Sequence, residues 1–145
     1  MSIHRTPVRV WLFSAWMLMI FLHSLQPADL SGRESGWVLS LLLHLLPWLT
    51  DHMVRKAAHF TEFAILGVLS EPLGRGPSFS RRTAAWFSLS LCVAAALSDE
   101  TIQLFVEGRA GQVSDVWLDI SGAAFGLALA VLVRALWKRT GEKTG

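Results

Sequence analysis

Four stretches of the chain are apolar for about the length of a membrane crossing, and most charged residues gather between them or at their ends. A helix needs about 20 mostly apolar residues to cross the hydrocarbon of a bilayer. The first stretch covers about residues 8–25 and carries Trp11, Trp16 and Phe21. The second covers about 57–73 and is expected to stop at Pro72 and Gly74, residues that end helices. The third runs over about 83–106 and opens with fifteen uncharged residues, 83–97. The fourth covers about 116–137. Arg5 and Arg9 precede the first stretch as in a signal peptide, but no small-x-small cleavage site follows Leu25, so this helix is expected to be retained.

Residues 26–36 are polar and rich in turn formers. The next thirteen, 37–49 (WVLSLLLHLLPWL), are too few to span and contain Pro47. They predict a short re-entrant or interfacial helix, with Trp37 and Trp48 as headgroup anchors. The fold class expected is all-α: one polytopic membrane domain over 1–145, with four transmembrane helices and one short helix that does not cross.

The balance of Lys and Arg then sets an expected orientation, because positive residues collect on the cytoplasmic side. With four spans, one side holds Arg5, Arg9, Arg75, Arg81, Arg82, Arg134, Lys138, Arg139 and Lys143, while the other holds Arg33, Arg55, Lys56 and Arg109. Both termini are therefore expected in the cytoplasm, with residues 26–56 and 107–114 outside.

Composition agrees with a membrane location. AVILMFWYC residues make up 52% of the chain, and the 11 glycines raise the apolar share to about 60%, against roughly 45–50% in soluble domains. This excludes a disordered chain and argues against a soluble enzyme. The net charge of +2 is spread between apolar blocks, so no nucleic-acid stripe exists and no nucleic-acid partner is expected. Cys92 is the only cysteine, which excludes an internal disulfide and a cysteine-built zinc site; in the middle of an apolar stretch it reads as core.

Ionisable residues in apolar helices are costly and call for partners, and here they cluster. Arg55, Lys56, His59 and Glu62 open the second span; Asp99, Glu100 and Gln103 close the third; Arg109 follows in a loop; Asp115 and Asp119 open the fourth. In the expected topology all lie in the outer leaflet. At 100° per residue Arg55, His59 and Glu62 share a face, as do Asp99 and Gln103, while Glu100 and Gln103 are close by i,i+3. Asp115, Asp119, Gly122 and Gly126 form one stripe, and Gly122-x-x-x-Gly126 is a small-x-x-x-small pattern that lets backbones approach. The inference is an inward-turned polar pocket. Taken singly, each residue is as well explained as an interhelical clamp. His4, His23, His44 and His52 read as interfacial or packed histidines. His59, Glu62, Asp99, Glu100 and Asp119 offer N and O donors for a metal, but His-x-x-Glu is a common spacing, so metal binding stays open and no cofactor is assigned. No sequence signature of catalysis is present, and whether the chain is an enzyme is left open.

Residues 55–67 (RKAAHFTEFAILG), 98–109 (SDETIQLFVEGR) and 115–126 (DVWLDISGAAFG) resemble three ordered motifs of the VanZ-like family of bacterial membrane proteins, and 21–27 (FLHSLQP) is similar to the end of that family's first helix. The resemblance covers roughly residues 10–130. Two positions depart from it: Glu107 stands where proline is usual before Gly-Arg, and Asp119 where asparagine is frequent. An ionised Asp119 would need a partner, and Arg109 or Arg55 is the expected one. The resemblance implies a bacterial inner-membrane location, membrane lipids as partners and an association with teicoplanin resistance. The expected function is an outward-facing charged pocket that engages a lipid-linked cell-wall precursor, a lipoglycopeptide or another envelope amphiphile. The alternatives are a hydrolase acting on a polyprenyl-phosphate-type lipid, and a structural accessory subunit.

Overall fold

The computed structural model describes residues 5–42, 46–71, 73 and 80–141. Among them the chain forms five helices and no strand: α1 (Arg5–Ser24), α2 (Ala28–Leu42), α3 (Asp51–Ser70), α4 (Arg81–Gln103) and α5 (Val113–Gly141). The fold is all-α. By length and apolarity α4 and α5 can each cross a membrane, and α1 with α2 adds a third crossing if the pair counts as one broken span. The apolar pattern of the sequence predicts four spans; α3 falls short because Asp51, Arg55, Lys56 and Glu62 lie within it. Chain composition and these helices make this a multi-pass membrane protein.

The clearest departure from expectation lies between α1 and α3. Residues 28–36, turn-rich by sequence, are the first part of α2; of the short helix expected over 37–49, residues 37–42 are the end of α2, 43–45 lie outside the described residues, and 47–48 form a turn. His44 lies outside the described residues, as do His4, Pro72 and Gly74. Polarity suggests a loop, but Ser31 and Ser35 are buried at i,i+4 spacing, and Ser35 hydrogen-bonds the Asp51 carboxylate at the start of α3. Small polar residues here face a helix rather than water. Pro27 lacks an N–H and restrains Gln26 from helical geometry, so α1 and α2 meet at a bend of 107°. α3 begins six residues before the expected 57, because Thr50 caps it by accepting the Met53 N–H at 3.3 Å.

The helices are small inside and large outside. On α5 the buried positions are Asp119, Gly122, Ala123, Gly126 and Leu127; on α4 they are Ser88, Cys92, Ala95, Ala96, Asp99, Glu100 and Gln103. Phe63, Leu66 and Ile20 supply the bulk of the core. Trp11, Trp86, Phe125, Leu132 and Trp137 face outward, the arrangement suited to lipid rather than water. α3 packs most extensively on α5. A Cβ added at Gly122 would lie 2.5 Å from the Phe60 carbonyl oxygen, and Cβ atoms at Gly126 and Gly67 would run into the carbonyls of Ala64 and Ala123. Two further bonds fix neighbours onto α3: Trp16 Nε1 donates to the Glu62 carbonyl at 2.9 Å, and Ser88 donates to the Ser70 carbonyl at 2.8 Å.

Candidate functional site

α1 and α4 end, and α3 and α5 begin, at the same end of the bundle. The ionisable residues meet there. At the centre, His59 Nδ1 of α3 lies 3.9 Å from Asp99 Oδ2 of α4 and 3.7 Å from Asp119 Oδ1 of α5. Both aspartates are 0% exposed. Asp99 is held by the Ser24 hydroxyl at 2.5 Å and by Gln103 Nε2 at 3.1 Å. Gln103 also reaches Glu100 Oε1 at 3.3 Å, while Glu100 Oε2 accepts the Gln112 N–H at 2.8 Å. By contrast neither Asp119 oxygen has a hydrogen-bond partner among the described residues, nor has His59 Nδ1.

The cations surround this centre without entering it. Lys56 pairs with Asp115 at 2.5 Å and Arg55 with Asp51 at 3.3 Å. Arg109 is a brace: it donates to the carbonyls of Gln26 and His23, each at 3.3 Å, and to Gln103 Oε1 at 3.5 Å. The expectation that Arg109 or Arg55 would partner Asp119 is therefore corrected. Each guanidinium is used elsewhere, and the group nearest Asp119 is His59. Gly108, with φ 73°, makes the left-handed turn that returns Arg109 toward the bundle, and the Glu107 carbonyl accepts the Ala28 N–H at 3.3 Å. Burial of the Arg109 guanidinium lowers its pKa, although arginine is not deprotonated in proteins. Replacing Arg109 by Gln should cost about 1–3 kcal/mol, since the carbonyls at the α1–α2 bend lose a charged donor. Equilibrium unfolding in mixed micelles would test this; a loss below about 0.5 kcal/mol would contradict the brace.

Two residues belong to the network that sequence reasoning does not place there: it makes His23 a packed or interfacial histidine and gives Ser24 no role. His23 Nδ1 lies 2.8 Å from Glu62 Oε1, and its Nε2 lies 3.4 Å from Glu34 Oε2. Ser24 is the donor to Asp99 described above. The only sequence signal for them is their place in 21–27, the segment similar to the end of the family's first helix. The other expected residues, Arg55, Lys56, His59, Glu62, Asp99, Glu100, Gln103, Arg109, Asp115 and Asp119, are all at this end of the bundle. Gly122 and Gly126 lie one and two turns deeper, where α3 and α5 pack together. His52 is exposed.

Two cavities open on the network. A groove of about 690 Å³ lies among α1, α2 and α3, with Trp16, Val38, Leu42, Met53 and Ile65 among its apolar walls and His23, Glu34, Arg55, His59 and Glu62 as its polar side. A polar pit of about 210 Å³ is lined by Arg55, Lys56, His59, Gln103, Arg109 and Asp115 among others. Arg55 and His59 belong to both.

A helical bundle with lipid-suited outer faces and an ionisable cluster enclosed at one end defines a class: a small polytopic membrane protein whose ionisable residues gather at one end of the bundle. The VanZ/LLP1 family model matches residues 10–134, and the chain belongs to that family. No curated protein and no solved structure gives a significant match to it.

Proposed function

We propose that this chain binds an amphiphile with an anionic head group, of the lipid-linked or lipoglycopeptide kind found at the bacterial cell envelope. The observation that carries this reading is the pairing of the two cavities. The groove is mostly apolar and of the size that takes small-molecule ligands, roughly 300–1,000 Å³. The adjoining pit has three permanent cations in its wall, Arg55, Lys56 and Arg109, against one carboxylate, Asp115. An acyl or prenyl chain would lie in the groove and a phosphate or carboxylate head would sit over Arg55, the cation common to both. Arginine suits that task because its fork of N–H donors matches such groups. Ion pairs to Asp51 and Asp115 offset Arg55 and Lys56 until a ligand competes for them, while the charge of Arg109 is met only by carbonyls and an amide oxygen.

In this reading α1 and α3 also cross the bilayer, giving four spans. The charges of α3 are tolerable there because each of Arg55, Lys56 and Glu62 has a partner within the bundle. The Lys/Arg balance supports an orientation with the termini in the cytoplasm and the site toward the outer leaflet, where a lipid-tailed glycopeptide such as teicoplanin and the cell-wall precursors it binds are met. The family's association with teicoplanin resistance fits that location.

Purified chain in detergent, titrated with a polyprenyl phosphate and followed through tryptophan fluorescence, provides the test, since Trp16 lines the groove. Binding should weaken at least tenfold in Arg55→Gln and stay unchanged in Lys138→Gln. No saturable binding by the wild type, or equal binding by both variants, would overturn the reading. A parallel measurement of teicoplanin survival and membrane abundance in a sensitive single-membrane host asks whether the site carries the phenotype. Arg55→Gln should accumulate normally and lose protection.

A further inference from the structure

We propose that His59, Asp99 and Asp119 bind a divalent transition-metal cation of the zinc type. One donor atom from each of the three lies within 4.8 Å of the others. A cation at the centre would need shifts of roughly half an ångström to reach the bonds of about 2.0–2.2 Å that zinc makes to nitrogen and oxygen.

Proximity of two acids and an imidazole is not by itself a site. The independent observation is Asp119. It is 0% exposed, lies between packed helices, and neither of its oxygens finds a hydrogen-bond donor among the described residues. Leaving a buried carboxylate with both oxygens unpaired is among the costliest arrangements a protein can hold. Neighbours that carry donors serve other groups: Lys56 is on Asp115, Arg109 is on backbone carbonyls and Gln103, and Ser24 is on Asp99. His59 Nδ1 faces the same gap and is also unpaired. A doubly charged cation would satisfy these atoms together and balance the two carboxylates.

Asp99 has the outer contacts expected of a metal ligand. Ser24 and Gln103 fix its carboxylate, as second-layer hydrogen bonds do in metal centres. One imidazole among the donors favours a transition metal over magnesium or calcium, which prefer oxygen alone. Three protein ligands leave a coordination position open, and His59 lines both cavities. The cation site rests on the cluster alone and stands whether or not the groove takes an amphiphile.

The test uses full-length protein in detergent, stripped with chelator and dialysed against Zn²⁺, with metal counted by mass spectrometry and affinity measured by calorimetry. The expected result is one Zn²⁺ per chain, bound at least 100-fold more weakly by Asp119→Asn and His59→Ala. Asp29→Asn, exposed in the first turn of α2 and outside both cavities, should keep wild-type affinity. Co²⁺ loading of the wild type gives a readout that needs no variant: intense visible bands of a four-coordinate N/O site should appear and be displaced by Zn²⁺. Fewer than about 0.1 metal per chain and no cobalt bands would overturn the proposal, as would equal affinity in wild type and Asp119→Asn. A proton shared between the carboxyl groups would give the first of those results.

Discussion

Gly126→Ala should destabilise the bundle by about 3 kcal/mol, the upper part of the range for overpacking, and Gly126→Leu should prevent it from assembling. The added Cβ runs into the backbone carbonyl of Ala64 on α3. A side chain in that place could rotate away, whereas a carbonyl in a helix moves only with the helix. Helices in lipid associate through close van der Waals packing, without water expulsion to drive them, so separating α3 from α5 removes the interface that holds the fold. The same interface carries His59 and Asp119, and its opening would disperse the polar cluster. Gly32 and Gly36 of α2 provide the contrast. A Cβ at either meets nothing within 4 Å, so Gly32→Ala should be neutral or stabilising by up to about 1 kcal/mol, because alanine favours a helix over glycine. Equilibrium unfolding in mixed micelles, read by circular dichroism, separates the two classes. Equal effects at Gly126 and Gly32 would mean that α3 and α5 do not touch through their backbones.

His23→Ala should cost about 1.5–3 kcal/mol, the value of a hydrogen bond to a charged group, and most of that should vanish when Glu62 is already alanine. His23 and Glu62 sit 39 residues apart in sequence and 2.8 Å apart in space. The carboxylate that stays behind accounts for more of this cost than the removed imidazole does. Glu62 Oε2 is buried and unpaired even in the native protein, so without His23 neither of its carboxylate oxygens would have a partner. A double-mutant cycle isolates the pair and should return a coupling of about 1–2 kcal/mol. Strict additivity would show that the two groups do not act together. Because both residues line the groove, His23→Ala should also weaken amphiphile binding in the fluorescence titration.

The pattern of apolar blocks determined a membrane helical bundle, since crossing lipid demands a long run of internally hydrogen-bonded apolar residues. Helical spacing likewise carried the grouping of His59, Glu62, Asp99, Asp119 and the glycine stripe, because the period of an α-helix is fixed before any packing occurs. The length of α2 could not be read from residues 28–36. Ser31 and Ser35 look like loop residues until a partner helix stands opposite them, and only the bend at Pro27 brings α3 there. Pairing of charges was equally hidden. Sequence offered Arg109 and Arg55 as partners for Asp119, yet Arg109 is turned onto backbone carbonyls and Arg55 onto Asp51. Which acid meets which base depends on the rotation and offset of whole helices, set here by the close approach of Gly122 and Gly126 to α3. Local periodicity thus chose the residues of the cluster, and interhelical packing decided which of them touch.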